Sequence, residues 1–175
     1  MPPSANSCVN CANSLLSRAA PSPAGCCSTP RSQRPTQPED LAMARLLITG
    51  GAGFIGSHTC VVLIEDGHDL VVLDDFSNSS PVALDKVQEI AGRGLQCIKG
   101  DVRDAAVLQQ LFADATIAGS PIEAVIHFAG LKAVGESVAK PLRYWDVNVN
   151  GSRALLSAMD AHGCHTLVFS SSATL

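Results

Sequence analysis

The eight residues Thr49-Gly50-Gly51-Ala52-Gly53-Phe54-Ile55-Gly56 constrain the fold of this chain more than any others. They join a short apolar run, Arg45–Thr49, to the run Phe54–Glu65, which has helical spacing and ends at Gly67. A glycine-rich turn between a strand and a helix is the context of a phosphate-binding loop. Gly50 lets the chain turn sharply after the strand, Gly53 leaves room for a diphosphate against the backbone, and Gly56 lets the helix pack close to the sheet. The N-terminus of that helix then offers unpaired N–H groups and the positive end of a dipole.

The rest of the chain repeats strand and helix. Strands are expected at Leu70–Leu73, Leu95–Ile98, Ala124–Phe128 and Thr166–Ser170. Ser80-Pro81 opens a helix to about Ala91, with a capping hydroxyl and a proline at its first position. Asp104 is placed to cap a helix over Ala105–Ala113, and a longer helix covers Pro141–His162 before Gly163. Such alternation predicts an α/β fold, a Rossmann-type doubly wound parallel sheet. About five strands are present where six are usual, so the sheet is expected to be incomplete and its open apolar edge to make the isolated chain poorly soluble.

Composition divides the chain near residue 42. Residues 1–38 hold seven of the ten prolines, the arginines Arg18, Arg31 and Arg34, and no acidic residue. Without hydrophobic periodicity, residues 1–42 are expected to be a disordered leader, and residues 43–175 a dinucleotide-binding domain. Two origins are open for the leader: an organelle transit segment, or an upstream stretch before a true start at Met43, which we favour. The second implies a cytoplasmic protein, the first organelle import.

A net charge of −4 gives no electrostatic reason to expect nucleic acid, and no apolar run reaches the roughly 20 residues that cross a bilayer. Cys8 and Cys11 have Cys-x-x-Cys spacing, but no second Cys or His pair completes a zinc set, so no metal site is expected. Cys60, Cys97 and Cys164 read as small buried hydrophobes. Asp74, 18 residues after Gly56 and ending the second strand, suits the hydroxyls of an adenosine ribose and disfavours a 2′-phosphate, so NAD is expected over NADP. Asp75 reads as its solvated neighbour. Ser170-Ser171-Ser172 follow the fifth strand, at the carboxyl edge where such sheets bind ligands.

The strings LLITGGAGFIGSHTC, VVLDDFSNS, GDVRD, VIHFAGLKAVGESVAKPLRYWDVNVNG and LVFSSSAT resemble UDP-glucose 4-epimerases, members of the extended short-chain dehydrogenase/reductase group. HFAGLKAVGESV is the most specific of these, and the resemblance runs from about Ala44 to Leu175. It implies that Phe54 and Ile55 give backbone contacts to the pyrophosphate. Asp74, Asp75, Phe76, Ser77, Asn78 and Ser79 would surround the adenosine ribose, and Asp101 and Val102 would flank the adenine. Phe128, Ala129, Gly130, Leu131 and Lys132 would line the middle of the dinucleotide, Asn148 would help position the nicotinamide side, and Ser172 matches the catalytic serine. His127 and Glu136 read as structural residues, and Trp145 and Met159 as core packing.

The implied reaction interconverts UDP-glucose and UDP-galactose through a 4-keto intermediate, with bound NAD and a UDP-sugar substrate. The family's base is a tyrosine with a lysine four residues later. The only tyrosine here is Tyr144, and Asn148 follows it by four, so the 175 residues alone are expected to be inert. A fragment of an epimerase, a non-catalytic NAD-binding module, and a related nucleotide-sugar epimerase or dehydratase all remain open. The resemblance also implies a homodimer through helices packed on the sheet.

Overall fold

The computed structural model describes residues 43–171. The expectations for residues 1–42, including Cys8 and Cys11, and for Ser172 lie outside the described residues. Five parallel strands, β1 (Arg45–Thr49), β2 (Asp69–Asp74), β3 (Gln96–Lys99), β4 (Ala124–His127) and β5 (Thr166–Phe169), form one sheet in the order β3-β2-β1-β4-β5. β1 is central, paired with β2 through Leu47↔Val71 and with β4 through Leu47↔Val125. The order reverses beside β1, which opens a crevice at the carboxyl ends of β1 and β4.

Both faces of the sheet are covered, and alternate strand residues serve them. Leu47, Val71, Leu73 and Val125 join Leu108, Leu111 and Phe112 of α3 (Ala105–Ile117) and Leu155 and Met159 of α6 (Gly151–Ala161) in one core. Leu46, Ile48, Leu70 and Val72 join Cys60 and Ile64 of α1 (Phe54–Glu65) and Leu84 and Val87 of α2 (Pro81–Ala91) in the other. Period-2 alternation between two covered faces explains why the centres of β1, β2 and β4 are continuously apolar, while the edge strands β3 and β5 are largely exposed. Truncating a centre such as Leu47, which is wholly buried, costs about 2–5 kcal/mol.

The caps follow the sequence. Ser80 Oγ accepts the Val82 N–H at 3.4 Å, and Asp104 Oδ1 accepts those of Ala106 and Val107 at 2.9 and 3.3 Å. α3 extends four residues past the expected end at Ala113, because Ala115 still has core to cover, and Gly119, at φ 74°, turns the chain just beyond it.

Three expectations need correction. The long helix is not uniform. After α4 (Val134–Ala139), α5 (Pro141–Trp145) passes through a π turn at Asp146–Asn150 before α6 begins. Side chains stitch that turn to its surroundings: Asn150 to Asp146, Asp146 to Arg103, and Asn148 to Leu131. Trp145 is not core; it is 63 % exposed, because the covered face of α5 is the one bearing Tyr144. Cys97 is exposed on the edge strand β3, whereas Cys60 and Cys164 are buried as expected. Met159 is buried.

Candidate functional site

The glycine turn closes the carboxyl end of β1, and packing dictates three of its glycines, Gly51 among them because a Cβ there would lie 2.7 Å from Cγ1 of the buried Val72. Gly50 sits at φ 72°, where a Cβ would lie 2.6 Å from the Ala129 nitrogen. A Cβ on Gly56 would collide with the carbonyl oxygen of Gly50. Gly53 is different: a Cβ there would meet only that oxygen, at 3.3 Å, and would otherwise project into the crevice. Neither helix packing nor a left-handed backbone explains a glycine at 53. A ligand lying against the backbone would require one.

α1 begins at this point with no side chain capping its N-terminus, unlike α2 and α3. Its first N–H groups face a crevice of two adjoining lobes, of about 270 and about 600 Å³. Gly50, Gly53, Phe54 and Phe128–Lys132 line both lobes. The first lobe adds Asp74, Asp75, Ser77, Asn78, Ser79, Asp101 and Val102, and the second adds Ile55, Gly56 and Asn148. Those residues come from five separate stretches of sequence, and all but one of the expected described residues take part. The exception is Phe76, which lines neither lobe and packs on the α1–α2 core. It holds a left-handed backbone, φ 58°, unusual for a bulky residue, with its N–H bonded to Asp74 Oδ1 at 2.9 Å.

Asp74 is 7 % exposed and already well engaged. Its Oδ2 accepts the Ala52 N–H at 2.9 Å, and its Oδ1 accepts the Phe76 N–H at 2.9 Å and the Ser79 hydroxyl at 2.8 Å. A carboxylate has about four acceptor positions, so about one remains for a ligand hydroxyl. Asp101 is held below the usual carboxylate range by its hydrogen bonds with Arg103 and stays anionic at the mouth of the same lobe. The Arg103 guanidinium also reaches Asp146, tying the β3–α3 loop to the π turn.

The second lobe is backed by His127, only 3 % exposed, whose pKa burial pushes down to about 4. Its Nδ1 lies 2.6 Å from Thr49 Oγ1 and its Nε2 3.1 Å from Ser152 Oγ, so the structural reading of this histidine holds. Glu136 is likewise structural: it accepts from Lys140, Arg143 and the Tyr144 hydroxyl, and Lys140 and Tyr144 hold it below the usual carboxylate range. Burial and the Glu136 carboxylate push the Tyr144 phenol upward, the wrong direction for a base. Ser152 and Val147 also line the crevice although nothing in their local sequence singles them out. Gly151 carried a signal, being a lone glycine in a helical pattern. A Cβ there would lie 2.7 Å from Val102 Cγ1, so it lets α6 approach the crevice floor. Among the described residues no three His, Cys, Asp or Glu side chains gather as a metal-binding set, and no helix is long and apolar enough to cross a membrane.

The model of the NAD dependent epimerase/dehydratase family matches residues 46–175. A UDP-glucose 4-epimerase of Bacillus subtilis is 52 % identical over 130 residues, which are 74 % of this chain and 37 % of that protein. One from Klebsiella pneumoniae is 50 % identical over 131 residues, covering 75 % of this chain and 91 % of that sequence. The crystal structure of the Bifidobacterium longum UDP-glucose 4-epimerase, in complex with NAD+ and UDP, superposes with a TM-score of 0.71 at 48 % identity, over 75 % of this chain and 38 % of that one. The chain thus spans well under half the length of the Bacillus and Bifidobacterium proteins. A strand-flanked glycine turn, an acid ending β2 and the His127–Val138 segment all fall within the matched residues, and the chain belongs to the NAD dependent epimerase/dehydratase family.

Proposed function

We propose that residues 43–175 are the NAD-holding part of a UDP-glucose 4-epimerase, an isomerase that interconverts UDP-glucose and UDP-galactose through a 4-keto intermediate. The observation that carries this is Gly53, whose missing side chain leaves the crevice floor bare beside an uncapped helix N-terminus. Such a floor fits a diphosphate, and the two lobes on either side fit the two halves of a dinucleotide. When bound, NAD supplies a hydride acceptor and donor for C4 of the sugar.

The residues of this chain bind and orient. The first-turn N–H groups of α1 hold the diphosphate, while Asp74 takes one ribose hydroxyl and, with Asp75, repels a 2′-phosphate. Asp101 and Val102 border the adenine, and Phe128–Lys132 run along the middle. Ser172 is assigned the hydrogen bond to the sugar's 4-oxygen. Deprotonating that hydroxyl needs a base near neutral pH, which Tyr144 does not provide. The 175 residues by themselves therefore bind dinucleotide without turnover. We place the protein in the cytoplasm.

The same reading includes a homodimer. Leu142 and Trp145, three apart on α5, form a short apolar stripe that is 82 % and 63 % exposed. Large apolar side chains exposed together on one helix suit packing against its own copy.

Calorimetric titration of the chain with NAD and NADP tests the cofactor half of the proposal. The expected result is saturable NAD binding with NADP much weaker; no binding of either overturns it. Epimerisation of UDP-galactose by a longer polypeptide carrying a Tyr-x-x-x-Lys pair tests the rest.

A further inference from the structure

Four polar groups behind the second lobe form a directional chain whose protons can be assigned from the heavy atoms alone. Ser152 Oγ lies 2.6 Å from the Asn148 carbonyl oxygen. A carbonyl only accepts, so the single Ser152 proton is spent there. The contact of His127 Nε2 with Ser152 Oγ, at 3.1 Å, must then carry its hydrogen on the imidazole. In the neutral ring Nδ1 is left bare, and Thr49 Oγ1, 2.6 Å away, must donate to it. The order of donation is Thr49 to His127, His127 to Ser152, Ser152 to Asn148.

The chain ends on a residue whose side-chain amide holds Leu131 through both its oxygen and its nitrogen. Asn148 Oδ1 accepts the Leu131 N–H at 2.8 Å, and Nδ2 donates to the Leu131 carbonyl at 2.9 Å. Leu131 lines both lobes. Asn148 Oδ1 also lies where a Cβ on Gly130 would come within 3.2 Å, so the amide is packed against the wall it holds. The other end of the chain is Thr49, the residue before Gly50. The run from Thr49 stops at the Asn148 main-chain carbonyl, and the side-chain amide of that same residue holds the opposite wall at Leu131.

We infer that His127, as the Nε2–H tautomer, is a positioning residue that acts through Ser152 and Asn148 to fix the Leu131 wall of the dinucleotide crevice. This rests on the crevice being the NAD site. The three residues set the distance between the turn that holds the diphosphate and the segment across from it: Asn148 and Ser152, four apart in sequence, share one helix face, the first bonded to Leu131 and the second to His127.

The test has two arms. In a long-range proton–nitrogen spectrum of the nitrogen-15-labelled 175-residue chain at neutral pH, His127 should show a protonated Nε2 and a bare Nδ1; the reverse pattern overturns the assignment. Ser152→Ala should weaken NAD binding about fivefold to tenfold, the equivalent of one hydrogen bond, and speed amide exchange at Leu131 more than at Val125. Ser152→Thr, which keeps the hydroxyl, should restore both. Unchanged affinity and exchange in Ser152→Ala overturn the positioning role. The tautomer is read on the unsubstituted chain, so it decides the matter even where Ser152→Ala perturbs folding. An unsubstituted chain that binds no NAD overturns the proposed function instead, leaving tautomer and exchange to judge the hydrogen-bond chain.

Discussion

Asp74 at the end of β2 is bonded through Oδ2 to the backbone N–H of Ala52, inside the glycine turn, at 2.9 Å. The carboxylate therefore braces the turn as well as lining the first lobe of the crevice. Asp74→Ala should lower stability by about 1–3 kcal/mol, since the buried Ala52 N–H loses its partner. The same substitution should weaken NAD binding and narrow the preference over NADP. Paired denaturant melts and titrations check this; an unchanged NAD/NADP ratio would remove Asp74 from the ribose.

Gly53 and Gly56 should respond differently to the same methyl group. Gly56→Ala forces a clash between backbone atoms and should destabilise the fold severely, lowering the melting temperature by many degrees. Gly53→Ala has one neighbour that must yield by a few tenths of an ångström, so the melt should shift little while NAD binding collapses. Equal losses of stability in the two variants would contradict a ligand-driven glycine at 53.

Burial of neutral His127 makes stability depend on pH. Its pKa falls from 6.5 in the unfolded chain to about 4 in the fold, so between those values the unfolded state binds more protons. The contribution is complete above pH 6.5, shrinks as the pH falls toward 4, and totals about 3 kcal/mol. His127→Gln should flatten the stability profile across that window, measured by urea melts at successive pH values.

Leu142→Glu combined with Trp145→Glu should convert a dimer to a monomer, read by light scattering on a sizing column. Both residues are exposed on the helical stripe, at 82 % and 63 %, so the monomer's own stability should be nearly unchanged. A wild-type chain that is already monomeric at high concentration would exclude this surface as the interface.

Tyr144→Phe removes one hydrogen bond to Glu136 and nothing in the crevice. In a longer, active polypeptide it should leave turnover within about twofold and cost on the order of 1 kcal/mol in stability. Loss of activity by several orders of magnitude would show Tyr144 to be the base after all.

The sequence by itself determined the five strands, the helices α1 to α3 and most of the residues that line the crevice. Glycines at 50, 53 and 56, an acid after β2 and apolar runs long enough only for buried strands are local signals, because turn geometry and side-chain period are properties of neighbouring residues. Tertiary structure alone decided which glycine the fold needs and which it leaves for a ligand, since that depends on Ala129 and Gly50 arriving from elsewhere. It also decided that Trp145 and Cys97 face outward and that Phe76 turns inward. A hydrophobic period identifies a face but not what will cover it. The link from Thr49 through His127 to Ser152 joins residues 78 and 25 apart in sequence. Such bonds exist only once parallel strands and their crossover helix have brought distant residues within 3 Å or so of one another, and no local pattern encodes that meeting.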